Sequence, residues 1–124
     1  MFGMKKWSGS LLDDATTEVV VHGTSFRQAA LRKSTGIQVF KLDAETTNSH
    51  DRNAVMVKLG TQLVGYLPKE IARPFSQLIQ QRTALKTWTF ARGEVRQYAD
   101  GDNWVMLQLP ATEVIKAALP STGP

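Results

Sequence analysis

Two tight-turn signals, Gly60-Thr61 and Ala99-Asp100-Gly101-Asp102, each lie between short runs of strand-forming residues, and this arrangement constrains the fold more than any other feature. Glycine and aspartate reach the backbone conformations that hairpin turns demand, so the runs on either side must pair antiparallel. Ala54 to Leu59 and Gln62 to Tyr66 make one predicted hairpin, and Lys86 to Tyr98 begins the second. In its returning arm Val105, Leu107 and Leu109 share one face by period-two alternation, while Trp104 and Met106 point the other way. Pro110 stops that arm.

Two further strands precede the hairpins. Thr17 to His22 carries the β-branched run Val19-Val20-Val21 and ends at Gly23, and Ile37 to Asp43 is anchored by Val39, Phe40 and Leu42. The imperfect alternation of these anchors suggests a bulge, and Gly93 suggests another bulge or a kink. Ser25 to Lys33 reads as one or two helical turns presenting Phe26 and Arg27. Pro68 opens a helical region whose Ile71, Phe75, Leu78 and Ile79 fall on one face. A residue before proline avoids the helical conformation, so Arg73-Pro74 predicts a turn over 68 to 72 and a separate helix from Pro74 to about Arg82. Val114, Ile115, Ala118 and Leu119 line a short final helix capped by Thr112.

Six short strands with two or three small helices imply a mainly β chain whose antiparallel sheet curls into a small barrel, because closure removes exposed edges. The chain of 124 residues holds one such domain. Residues 1 to 16 are expected as a loose arm, 17 to 110 as the barrel, and 111 to 124 as a short helix and tail.

Composition narrows the chemistry. With no cysteine in the chain, disulfides, thiolate metal sites and cysteine nucleophiles are excluded. Apolar runs are too short to span a membrane, and Lys5-Lys6 leads into polar residues, so a cytoplasmic location is expected. Net charge is +4, concentrated in the middle: residues 19 to 98 hold twelve basic and five acidic groups. A basic body suits a polyanionic partner through counterion release.

Between two of the strands lies the polar stretch Glu45-Thr46-Thr47-Asn48-Ser49-His50-Asp51-Arg52-Asn53, rich in residues that bond their own backbone. With Leu42-Asp43-Ala44 before it and Ala54-Val55 after, it resembles the loop-and-strand signature of HIRAN domains, in which a Glu, an Asn and an Asp-x-Asn-Ala-aliphatic block keep fixed spacing. Upstream, Val21-His22-Gly23-Thr24-Ser25-Phe26-Arg27 is similar to that family's first strand and aromatic-basic turn. Downstream, Val64-Gly65-Tyr66-Leu67-Pro68-Lys69-Glu70-Ile71-Ala72 resembles its Gly-Tyr-Leu/Val-Pro-basic-Glu-x-Ala element. The three elements span about residues 19 to 80 in the family's order.

The resemblance implies an OB-like barrel, alone or attached to Swi/Snf-type helicases and nucleases, that grips the 3′ end of single-stranded DNA. By the same resemblance Phe26 and Arg27 stack a base and hold a phosphate, Asp51 accepts a hydrogen bond from the terminal hydroxyl, and His50 contacts the last nucleotide. Tyr66 and Lys69 line the groove, and Trp104 lies near a late nucleotide-contacting aromatic. Ser25 departs from the helicase-linked members, which carry a basic residue there.

The residues themselves leave alternatives open. Trp104 can stack a base or cover a second apolar cluster. A carboxylate among cations repels phosphodiesters, so Asp51 suits a hydroxyl; it can equally close an Asx turn onto the amide of Asn53. Arg92 and Arg96, four apart around Gly93, are secondary phosphate candidates. No cofactor, metal or catalytic residue is expected, and the proposed partners are single-stranded DNA and a helicase or nuclease in trans, in repair or replication. An adaptor docking such a partner is the alternative. A metal-dependent nuclease built on Glu45, His50 and Asp51 is disfavoured for want of ligand spacing.

Overall fold

The computed structural model describes residues 8–32 and 34–120. The expected tail from 121 onward, the first seven residues of the expected arm and Lys33 lie outside the described residues. The elements run β1 (Ser8–Leu11), β2 (Thr17–Val20), a 3-10 turn (Thr24–Phe26), α1 (Gln28–Leu31), β3 (Gly36–Ala44), β4 (Val55–Leu59) and β5 (Gln62–Tyr66). They continue with α2 (Lys69–Ala84), β6 (Thr87–Gln97), β7 (Asn103–Leu109) and α3 (Thr112–Ala118).

One sheet contains every strand: β2-β7-β6-β3-β4-β5 follow one another as antiparallel neighbours, and β1 lies off this path, parallel to β6. Both predicted hairpins are present: β4 returns as β5, and β6 returns as β7 with Tyr98 N–H donating to the Asp102 carbonyl at 2.8 Å. The two ends of the order meet where β2 runs on into His22. His22 N–H donates to the Tyr66 carbonyl at 2.8 Å and Tyr66 N–H to the His22 carbonyl at 2.9 Å. This single pair joins the sheet's first and last strands, so the sheet curls around on itself.

The interior is the set of residues that period-two alternation points inward. Phe40 and Leu42 of β3, Val55 and Val57 of β4, Val64 of β5, Ala91 and Val95 of β6, and Val105, Leu107 and Leu109 of β7 are all buried. Helix α2 lays Ala72, Phe75 and Ile79 against them, and Ile115 of α3 joins the same cluster. Each large side chain so removed from water contributes roughly 1.5 to 3 kcal/mol before entropy is counted.

Four expectations are corrected. There are seven strands among the described residues, not six, because Ser8–Leu11, expected within a loose arm, lies parallel to the first half of β6. β7 pairs only with the second half of β6, from Gly93 onward, so the same edge is open to a second short strand, and Leu12 is buried behind it. Helix α2 is continuous through Pro74 rather than split. Pro74 forfeits one bond, to the carbonyl of the solvent-exposed Glu70, while Pro74 and Phe75 are both buried; core packing outweighs the lost bond.

The register is unbroken through β3 and through Gly93, and the shift in the sheet falls between Val57 and Lys58 of β4 instead. Gly93 serves close packing: a Cβ there would stand 2.7 Å from the Met106 carbonyl oxygen and 3.0 Å from Phe40 Cε1. Finally, Thr112 is the first residue of α3 and its hydroxyl donates to Glu113 at 3.2 Å; the cap position belongs to Ala111, which makes no side-chain cap bond.

Candidate nucleic-acid interface

The segment between β3 and β4 is held open as a rigid loop by its own side chains. Glu45 N–H donates to the Ala54 carbonyl at 2.9 Å, closing the neck. Inside it, the Asn48 carboxamide oxygen accepts from the backbone N–H of His50 at 2.9 Å and of Asp51 at 3.1 Å. Asp51 Oδ1 accepts from Asn53 N–H at 2.9 Å, the Asx turn expected from the sequence. Among the described residues no donor reaches Asp51 Oδ2.

Beneath the loop lies Tyr66, at the end of β5. Its hydroxyl donates to the Glu45 carboxylate, 3.2 Å from each oxygen, and Asn48 Nδ2 donates to Glu45 Oε1 at 2.8 Å. Burial, then the Glu45 charge and hydrogen bond, push the Tyr66 phenol above its ordinary pKa, and the positive charge of Arg27 opposes them. Arg27 therefore shares the electrostatic environment of Tyr66.

Asp51, Tyr66 and Lys69 line one open cavity of about 340 Å³ together with His22, Asn48, Ala54 and Leu67. Its polar floor comes from the loop and from β5, and Lys69 arrives as the first residue of α2. The His22–Tyr66 backbone pair places these two side chains on the same face. His50 is exposed on the loop beside this cavity without lining it.

Phe26 and Arg27 stand on the 3-10 turn and the residue after it. Gly23 enters the turn with φ +82°, Phe26 N–H donates to its carbonyl at 3.1 Å, and the Phe26 ring is left 83% exposed. Gln28 then pins the turn across the fold. Its Nε2 donates to the carbonyls of Thr24 and Asn103, both at 2.8 Å, while its Oε1 accepts from Asn103 N–H at 2.7 Å. Sequence reading missed Gln28, since its partner lies 75 residues away and nothing local marks it.

Trp104 belongs to a second group. It projects outward from β7, half-buried, opposite Arg96 of β6. The Tyr98 ring stacks on it with centroids 5.5 Å apart and planes 21° apart, and the Arg96 guanidinium stands 5.5 Å from its centroid. Arg96 Nε also donates to Glu94 Oε1 at 2.6 Å. Arg92 and Arg96 line a separate depression of about 280 Å³ with Glu18, Ile37 and Met106. The predicted residues thus divide between the Asp51 pocket and the outer face of β6 and β7, and the Gln28–Asn103 bonds tie the Phe26 turn to the strand that carries Trp104.

Two facts bear on other chemistries. Among the described residues no three of His, Asp and Glu converge as a metal ion would need. No helix among them is long and apolar enough to cross a membrane.

A small curled β-sheet domain with one loop folded over a carboxylate-floored, cation-edged pocket is the class that this geometry defines. The chain belongs to the HIRAN domain family: the family model described as the HIRAN domain matches residues 15–106. No curated relative matches the chain. Among solved structures, the HIRAN domain of human HLTF is similar at 17% identity, covering 87% of this chain and 92% of that one with a TM-score of 0.49.

Proposed function

We propose that this HIRAN domain binds single-stranded DNA by a free 3′ end, with Asp51 accepting a hydrogen bond from the terminal hydroxyl. The observation that carries the reading is the uncommitted Asp51 Oδ2 in a cavity shared with Tyr66 and Lys69. A carboxylate there repels a phosphate and accepts from a hydroxyl, while Lys69 and Arg27 supply cations for the preceding phosphodiesters. Phe26, bare to solvent at the turn, is a platform for a base. His50 contacts the last nucleotide from the loop, and Trp104, Arg92 and Arg96 extend the path only for a strand long enough to reach the outer face.

In this reading the domain is a non-catalytic recognition module that works in the cytoplasm and positions repair or replication machinery, with a helicase or nuclease as its partner in trans. The test is a fluorescence anisotropy titration of otherwise identical oligonucleotides ending in 3′-hydroxyl or 3′-phosphate. Hydroxyl ends are expected to bind at least about tenfold more tightly, the value of one charge-assisted hydrogen bond. Asp51→Asn removes most of that difference, and equal affinities in the unaltered protein refute the reading.

An adaptor role is the second reading, and the exposed Ile37 and Val39 on the outer face of β3 favour it. Salt separates the two. Binding through phosphates weakens steeply as salt rises, whereas an apolar protein contact does not.

A further inference from the structure

Glu45 stands at the centre of the pocket's hydrogen bonds although it is not one of the residues lining the cavity. Its carboxylate can only accept, so both of its partners must donate to it. For Asn48 this dictates the orientation of the amide. With Nδ2 turned to Glu45, Oδ1 faces the His50 and Asp51 N–H groups, which only an oxygen can satisfy. For Tyr66 it fixes the single hydroxyl proton. That proton is directed at Glu45, and the phenol oxygen is left with lone pairs alone for anything entering the cavity.

The consequence is a pair of acceptors lining one cavity. Asp51 Oδ2 and Tyr66 Oη are both acceptors, while the donors sharing the cavity are Lys69, the His22 imidazole and the second Nδ2 proton of Asn48. We propose that Glu45 is the positioning residue that sets this pair: by taking the Tyr66 proton and orienting Asn48, it leaves Tyr66 Oη, beside Asp51 Oδ2, able only to accept. The floor thereby selects a strand end that donates, a free hydroxyl, over one that ends in phosphate. This rests on the end-recognition reading above and names the residue through which the selection passes. The Tyr66 phenol is displaced upward by burial first and by Glu45 second, and the second contribution agrees with it.

Two variants test the assignment. Glu45→Gln keeps the shape but offers an amide N–H to Tyr66, freeing the phenol proton to turn into the cavity. Glu45→Ala removes the brace altogether. If the unaltered protein prefers hydroxyl over phosphate ends by about tenfold, Glu45→Gln should reduce the ratio to within about threefold, chiefly by gaining affinity for the phosphate end. Glu45→Ala should reduce it by losing affinity for the hydroxyl end. The dependence of affinity on salt stays the same in both, because the cations are untouched. In a Tyr66→Phe background Glu45→Gln should bring no gain for phosphate, since the hydroxyl it redirects is gone.

A readout without DNA accompanies these. Alkaline absorbance titration should find the Tyr66 phenol ionising at lower pH in Glu45→Gln than in the unaltered protein with the thermal transition unchanged, which separates loss of the Glu45 charge from exposure of a loosened phenol. A ratio of one in the unaltered protein overturns the end-recognition reading itself. A clear preference that survives unchanged in Glu45→Gln, with the phenol titration unmoved, overturns the assignment to Glu45 and leaves that reading standing.

Discussion

Replacing Gly65 by alanine tests how far the pocket depends on the closure of the sheet. A Cβ at this position would fall on the His22 carbonyl oxygen and within 2.5 Å of Val21 Cγ1. The oxygen cannot yield freely, because it accepts from Tyr66 N–H at 2.9 Å while His22 N–H donates back at 2.8 Å. Nor can Val21 yield, since it is 2% exposed.

Overpacking costs about 1 to 3 kcal/mol, and weakening two backbone hydrogen bonds adds about 0.5 to 1.5 kcal/mol each. The smaller conformational freedom of alanine in the unfolded chain offsets about 0.4 to 1 kcal/mol. A net loss of about 1 to 5.5 kcal/mol remains, which at about 4 °C per kcal/mol lowers Tm by roughly 4 to 22 °C. Thermal unfolding followed by circular dichroism measures it. Below the transition, affinity for a 3′-hydroxyl oligonucleotide should also fall, because Tyr66 is the next residue and lies on the cavity floor. A variant that melts within about 2 °C of the unaltered protein would refute the claim that the His22–Tyr66 pair is a tight closure.

Two further outcomes follow from single side chains. Phe26→Ala should weaken single-strand binding by about 1 to 3 kcal/mol, roughly five- to 150-fold in Kd by anisotropy, with Tm unchanged because the ring is solvent-exposed. Tyr66 has a folded-state pKa raised above its unfolded value, so its contribution is full below the ordinary phenol range near pH ~10 and is lost as pH rises through the raised value. Urea unfolding at alkaline pH should therefore lose stability less steeply in Tyr66→Phe than in the unaltered protein, and parallel profiles would contradict the assignment.

Local patterns in the chain reached a good part of this structure. The two hairpins, the alternation that buries Val105, Leu107 and Leu109, and the Asx turn at Asp51 each depend on residues close in sequence, so turn chemistry and period-two spacing reveal them. The helix was legible in its apolar face but not in its continuity. A proline rule describes backbone cost alone, and the burial of Pro74 and Phe75 that outweighs the cost comes from strands elsewhere in the chain. β1 was hidden for a related reason: Ser8 to Leu11 has no strand periodicity of its own and is ordered by pairing with Thr87 to Phe90.

The sequence by itself determined which groups are available: a polar loop with Glu45, Asn48 and Asp51, an aromatic-basic turn, and a Tyr-Leu-Pro-Lys corner. The tertiary structure decided which of them meet. It brought Tyr66 under Glu45 across 21 residues, tied Gln28 to Asn103, and set Trp104 on the outer face with Tyr98 and Arg96, away from the Asp51 pocket. Hydrogen-bond partners of this kind depend on the path of the backbone through space. That path is set by the burial of a whole core and the closure of the sheet, and neither quantity resides in any local stretch of residues.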